Sequence, residues 1–160
     1  MVKRKLDARQ LQVLNEPQFV HRLRYSTLKK AKIGSGPVLY WMSRDQRVKD
    51  NWALLYAQEL ALNLKRPLWV VFSLAPRFLK ATLRQYTFML KGLEEVGKTL
   101  NQHNIKFFVL SGDPAYEIPF FINRHDIAIL VADFDPLKIK RHWKEKVQQN
   151  IDIDFYEVDA

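Results

Sequence analysis

The chain contains the apolar run Val38-Leu39-Tyr40-Trp41-Met42, which follows the turn Gly34-Ser35-Gly36-Pro37. Five consecutive residues of this kind are typical of a strand that is buried on both faces. Further strand-like runs follow at 68–72, 106–110, 127–132 and 153–158, and helical stretches separate them at 51–65, 82–101, 115–123 and 136–149. This alternation predicts an α/β fold, a Rossmann-like or flavodoxin-like sheet of five parallel strands with helices on both faces.

The amino-acid composition is that of a single globular domain and excludes several kinds of functional site. The 160 residues are 48% hydrophobic and include no Cys, so the chain can bury the core of one domain without disulfides. The absence of Cys excludes thiolate nucleophiles, iron–sulfur clusters and Cys-based zinc sites. No apolar run approaches the roughly 20 residues that cross a membrane, and no signal-peptide core follows the N-terminus. We therefore expect a soluble, cytoplasmic protein with no membrane partner.

Positive charge is concentrated near the N-terminus. The net charge is +9, and residues 1–36 hold nine Lys and Arg against Asp7 and Glu16. This imbalance, with the turn that ends it, predicts a basic N-terminal arm at 1–36 and an α/β domain at 37–160. A basic arm suits a polyanion such as DNA, and the alternative is a solvated leader with no binding role.

Polar residues follow the predicted strands. Ligands of open α/β sheets bind beyond the carboxyl ends of the strands, so these residues are the candidates for a site. The densest group follows the first strand, and it is an anion or ligand site or, alternatively, an Arg–Asp network that fixes the loop, with Asp50 as the helix N-cap. The candidates are Ser43, Arg44, Asp45, Gln46, Arg47, Asp50, Asn51, Ser73, Arg77, Ser111, Gly112, Asp113, Asp133 and Asp135.

Other functional motifs are missing from the sequence. No glycine-rich loop follows the first strand, which argues against a dinucleotide fingerprint or a P-loop. The four histidines are scattered without metal-ligand spacing, so we expect no metal site. The alternating acids near the C-terminus predict the solvent face of an edge strand, with Asp154 among them. Trp41 and Trp69 are predicted core residues, and Trp143 lies on a basic helix.

A resemblance to a known family rests on the first strand and the loop after it. Tyr40-Trp41-Met42-Ser43-Arg44-Asp45-Gln46-Arg47, followed by Asp50-Asn51 and Ala53-Leu54, resembles the start of the N-terminal domain of the photolyase/cryptochrome family. The sequence of this stretch is most similar to that of class II cyclobutane pyrimidine dimer DNA photolyases. The resemblance covers 37–160. It is supported by Gly112-Asp113-Pro114, Asp133-Phe134, Pro136-Leu137 and 156–160. It implies strand order 3-2-1-4-5.

The resemblance implies a light-dependent DNA repair enzyme, a deoxyribodipyrimidine photo-lyase, whose full-length form acts on UV-damaged DNA. Such enzymes hold FAD in a helical C-terminal domain, which we expect to be absent from this chain. The 160 residues alone are then expected to be inactive and to contain no catalytic residue. The face toward that helical domain is expected to expose Trp52, Leu74 and Phe78.

The resemblance also implies an antenna chromophore within this domain, 8-hydroxy-5-deazaflavin or methenyltetrahydrofolate, which harvests light for FAD. The deazaflavin site of such domains lies at the carboxyl ends of the strands, where the polar residues cluster. We expect an arginine at the polar edge of the chromophore and apolar contacts from a methionine and a phenylalanine. The predicted chromophore-binding residues are Met42, Ser43, Arg44, Asp45, Arg47, Asn51, Asp133 and Phe134.

Two other functions stay open. A cryptochrome-like signalling protein would share this domain and differ in the C-terminal part. A stand-alone nucleotide-binding α/β module is the other alternative, and the missing phosphate loop argues against it.

Overall fold

The computed structural model describes residues 20–75 and 83–159. A short 3-10 turn, Arg22–Arg24, comes first. The strands are β1 (Tyr25–Lys29), β2 (Val38–Met42), β3 (Leu68–Leu74), β4 (Lys106–Ser111), β5 (Ile129–Asp133) and β6 (Asp154–Val158). The helices are α1 (Trp52–Leu64), α2 (Leu83–Gln102), α3 (Pro114–His125) and α4 (Lys138–Asn150). None of the helices in the described part of the chain has both the length and the hydrophobicity that crossing a bilayer requires.

The strands form one six-stranded sheet in the order β1-β6-β5-β2-β3-β4. The five strands β2 to β6 are parallel, and their order is the predicted 3-2-1-4-5, so the Rossmann-like expectation is confirmed. The sixth strand is an addition that the sequence pattern did not predict. β1 lies within the basic N-terminal segment and pairs antiparallel with β6, with Tyr25 opposite Val158.

This added strand overturns the interpretation of β6 as an edge strand. β1 covers β6, and Asp154 is therefore 1% exposed rather than on a solvent face. Its carboxylate accepts hydrogen bonds from Lys30 Nζ at 2.7 Å and from the backbone N–H of Ala31 at 2.8 Å. A buried carboxylate needs partners of this kind, because desolvation otherwise disfavours its charge.

The core has two parts, one on each face of the sheet. Val38, Tyr40 and Met42 pack on the face that α1 and α2 cover. Leu39 and Trp41 point to the opposite face, which α3 and α4 cover. Successive side chains of a strand alternate between faces, so an uninterrupted apolar run is required when both faces are buried. Trp41 is 3% exposed, which confirms it as a core residue.

The turn before β2 requires glycine because it runs against another backbone segment. Gly34 N–H donates to Ala128 O at 3.0 Å, and Gly36 N–H donates to Asp126 O at 2.8 Å. A Cβ on Gly34 would lie 2.1 Å from Ile127 O, which is far inside van der Waals contact. The turn therefore holds the start of β2 beside the start of β5 and sets the direction in which both strands reach the site.

Candidate functional site at the carboxyl end of the sheet

A cavity of about 330 Å³ lies where β2 and β3 end. The start of α2 and the first turns of α4 complete its walls, which are mostly apolar and include Trp41, Met42, Phe72, Leu74, Met89 and Trp143. Tyr86 Oη donates to Ala75 O at 2.8 Å and so ties α2 to the end of β3 beside the cavity. A concave apolar site of this size, at the carboxyl ends of parallel strands, suits a small aromatic ligand.

Polar residues also line the cavity, and two of them bear on ligand binding. Ser73 Oγ is buried and has no hydrogen-bond partner among the described residues. Among the described lining residues, Lys140 alone is charged, and its Nζ donates to Ser43 O at 3.0 Å and lies 3.2 Å from Asp135 Oδ2. An orphaned buried hydroxyl costs free energy unless something satisfies it, so the Ser73 hydroxyl is available to bond a polar atom of a ligand.

The loop after β2 is anchored by the buried carboxylate of Asp133, the last residue of β5. Its Oδ2 accepts the backbone N–H groups of Ser43 at 3.3 Å, Arg44 at 2.7 Å and Asp45 at 2.8 Å. Burial raises the pKa of the Asp133 carboxyl, while the three N–H donors and the nearby Lys144 act in the opposite direction. Asp133 thus fixes the path of the loop across two adjacent strand ends.

Asn51 holds the other end of the same loop. Its Oδ1 accepts the backbone N–H of Leu54 at 2.9 Å, which makes Asn51 the N-cap of α1. The prediction that Asp50 is the cap is wrong: Asp50 has φ 51° and serves as the tight turn before the cap. The Asn51 amide also donates to Tyr40 Oη at 3.0 Å and to the carbonyls of Asp45 and Arg47.

The structure divides the eight predicted chromophore-binding residues into three groups. Met42 and Ser43 line the cavity. The side chains of Asn51 and Asp133 hold the loop, and Asp45 is part of it. Arg44, Arg47 and Phe134 do not line the cavity; Arg44 Nη1 instead lies 3.5 Å from Phe134 O, and Arg47 Nη2 donates to Asp50 O at 3.1 Å.

Sequence reasoning missed Lys140, Trp143, Tyr86 and Met89 as lining residues. Lys140 and Trp143 are three residues apart in α4 and therefore share one helix face, a spacing that was visible in the sequence. Nothing in the sequence indicated that this face meets the end of β2. Arg77 and Phe78 lie outside the described residues. Within the described ranges, no group of three or more His, Asp or Glu residues is arranged to hold a metal ion.

Known proteins of one family share much of this sequence. Residues 38–160 match the DNA photolyase family. A deoxyribodipyrimidine photo-lyase from Potorous tridactylus is 51% identical over 124 residues, which are 76% of this chain and 23% of that protein. One from Arabidopsis thaliana is 45% identical over 127 residues, 78% of this chain and 26% of the relative. One from Methanothermobacter thermautotrophicus is 33% identical over 123 residues, 77% of this chain and 27% of the relative.

A solved structure shares the fold. A cryptochrome from Synechocystis superposes with a TM-score of 0.62 and 17% sequence identity over 77% of this chain and 26% of that one. The fold is thus that of the N-terminal Rossmann-like domain of photolyases and cryptochromes. With the family match over most of its length, the chain belongs to the DNA photolyase family. It spans about a quarter of the length of the curated relatives it matches.

Proposed function

We propose that the chain serves as the antenna-chromophore domain, residues 37–160, of a class II cyclobutane pyrimidine dimer photolyase that works in the cytoplasm. In the whole protein it would also be the scaffold for a helical FAD-binding domain, and the substrate would be UV-damaged DNA. The cavity at the ends of β2 and β3 is the observation that carries the proposal.

The residues of the cavity fit a flat, mostly apolar chromophore. Its volume of about 330 Å³ is near the lower end of the 300–1,000 Å³ that ligand pockets usually occupy. Trp41, Met42 and Trp143 supply apolar surface for a ring system, Ser73 supplies a hydroxyl, and Lys140 supplies a positive charge. When bound, an antenna chromophore absorbs light and passes the excitation energy to FAD. This chain would hold the ring, orient its polar edge and exclude water.

Of the predicted residues, Met42 and Ser43 are proposed to contact the chromophore directly. Asp45, Asn51 and Asp133 are proposed to act through the loop, because they hold the backbone from which Met42 and Ser43 project. Contacts from Arg44, Arg47 and Phe134 stay predictions. The 51% identity to a photolyase favours a repair enzyme over a cryptochrome-like signalling protein.

A fluorescence titration tests the proposal. The purified chain is titrated separately with 8-hydroxy-5-deazaflavin and with methenyltetrahydrofolate, and we expect saturable binding of one of them at one site per chain. Trp41 and Trp143 line the cavity, so their emission should fall as the chromophore binds. Absence of saturable binding by both compounds would contradict an antenna site in this domain.

Ser73→Ala locates the bound chromophore. Loss of one neutral hydrogen bond should weaken binding by roughly fivefold to tenfold, about 1 kcal/mol, with no loss of stability because the hydroxyl has no partner among the described residues. Ser111→Ala is the matched control, since Ser111 ends the neighbouring strand β4 and does not line the cavity. Equal affinities for the two variants would argue against a polar contact at Ser73.

A further inference from the structure

We propose that an exposed basic surface beside the cavity, the basic rim, binds the phosphate backbone of DNA. The basic rim consists of Arg22, Arg24, Arg44, Arg47 and Lys49, all exposed. The proposal deepens the proposed function and rests on it, because it identifies where this domain would meet the DNA substrate. None of the five residues lines the cavity, so the rim lies outside it.

A chain of backbone contacts brings Arg24 and Arg44 to the same end of the sheet. Arg24 O accepts the N–H of Asp159 at 2.7 Å, and Val158 O accepts the N–H of Phe134 at 2.7 Å. Arg44 Nη1 lies 3.5 Å from Phe134 O. The two arginines therefore flank the ends of β5 and β6, although they are 20 residues apart in the sequence.

Trp52 connects Arg24 to the rest of the basic rim. The Arg24 guanidinium lies 4.6 Å from the centre of the Trp52 ring, a cation–π contact. Trp52 begins α1, two residues after Asp50, and Asp50 O accepts a hydrogen bond from Arg47 Nη2. Arg24 and Arg47 thus both lie beside the N-terminus of α1, with Lys49 on the segment between Arg47 and the helix.

The arginine heads retain donor capacity for a ligand. A guanidinium has five N–H donors, yet among the described residues Arg44 makes one contact, a long one at 3.5 Å. Arg47 donates to Asp50 O at 3.1 Å and has Asp45 Oδ1 at 3.6 Å. Arginine recognises phosphate by paired N–H bonds, so donors of this kind are suited to the DNA backbone.

The backbone that carries Arg44 and Arg47 is rigidly held. Asp133 accepts the N–H of Arg44 at 2.7 Å, and the Asn51 amide donates to Arg47 O at 3.0 Å. Because the loop is already ordered, binding costs less conformational entropy than it would on a flexible segment. The three carboxylates of the same segments, Asp45, Asp50 and Asp159, leave the group with a net charge of +2, five cations less three anions.

The test compares two double variants that remove equal charge. The rim variant combines Arg44→Gln with Arg47→Gln. The control variant combines Lys65→Gln with Arg66→Gln, which are two exposed cations at the opposite end of α1. Fluorescence anisotropy of a labelled undamaged duplex of about 20 base pairs is measured between about 50 and about 200 mM salt. We expect the rim variant to bind roughly tenfold more weakly, with a slope of log affinity against log salt reduced by about 2.

The control variant should keep nearly the wild-type slope. Arg44→Lys with Arg47→Lys should restore the slope, because it restores the charge, and circular dichroism of each variant verifies folding. Equal effects of the two Gln variants, or no effect of the rim variant, would overturn the proposal. The chromophore titration, done without DNA, separates the two functions: chromophore affinity lost with DNA affinity retained would assign the arginines to the chromophore instead.

Discussion

Replacing Asp133 by alanine tests whether its carboxylate holds the loop at the candidate site. The side chain is fully buried and accepts three backbone N–H groups, those of Ser43, Arg44 and Asp45. Asp133→Ala removes the one carboxylate oxygen, Oδ2, that accepts all three hydrogen bonds. Lys144 keeps its bond to the backbone O of residue 133 at 2.5 Å, so the substitution leaves that contact in place.

The expected loss in the free energy of unfolding follows from the exposure of the three N–H donors. Ser43 is 8% exposed, and an unsatisfied N–H there costs about 1–3 kcal/mol. Arg44 is exposed and Asp45 half-buried, so water can replace part of the lost bonding at a cost of roughly 0.5–1 kcal/mol each. Relief of the carboxylate's desolvation offsets some of this, and we expect a net loss of about 3 kcal/mol in the free energy of unfolding.

Urea denaturation followed by circular dichroism measures that loss, with the same dependence on urea concentration in both proteins. Asp152→Ala is the control, because Asp152 is 74% exposed and pairs with Lys32, which is 68% exposed, at 3.1 Å. We expect it to change stability by less than about 0.5 kcal/mol. If the two variants were equally stable, the carboxylate of Asp133 would not be the anchor of this loop.

Two further predictions concern the rest of the domain. Burial raises the pKa of Tyr40, Tyr56 and Tyr156 above the ordinary 10.0, so the folded chain keeps protons that the unfolded chain releases. Their contribution to stability is thus complete below pH 10 and lost above it, and an absorbance titration should show these phenols ionising with unfolding. Gly34→Ala should cost at least about 2 kcal/mol by urea denaturation, whereas Gly92→Ala, with open space around its Cβ position, should stabilise α2 by roughly 0.5–1 kcal/mol.

The tyrosine prediction and the Gly34→Ala prediction each have an outcome that would contradict them. Ionisation of all six tyrosines near pH 10 in a chain that keeps its native circular dichroism would refute the burial argument. A Gly34→Ala variant as stable as the wild type would mean that the turn moves away from Ile127 without cost.

The five parallel strands were predictable because burial on both faces leaves a local mark. Val38–Met42 and 127–132 are continuous apolar runs. Such a run indicates a strand buried on both faces even when the strands beside it in the sheet are not known. β1 left no such mark. It is an edge strand with mostly half-exposed or exposed residues, and its pairing with β6 depends on backbone hydrogen bonds that any sequence can make.

The loop after β2 was recognisable as a site for the same local reason, since polar residues directly after a buried strand are informative. The role of each of these polar residues could not be predicted from the sequence. Asp133 and Ser43 are 90 residues apart, and their hydrogen bond exists because β2 and β5 are neighbours in the sheet. Of the predicted Arg–Asp network, the structure has Arg47 Nη2 at 3.6 Å from Asp45 Oδ1. Asp133, which that network did not include, and Asn51 hold the loop through its backbone groups, and the N-cap is one residue later than predicted.

The sequence by itself determined the fold class, the order of strands and helices, and the family, because these depend on hydrophobic periodicity and on a contiguous motif. The tertiary structure decided which polar groups became buried anchors and which residues form the cavity. Lys140 reaches Ser43 across 97 residues, and Trp143 meets Trp41 at the same cavity. The physical reason is that packing between elements depends on strand order and helix placement, which no local pattern of residues encodes.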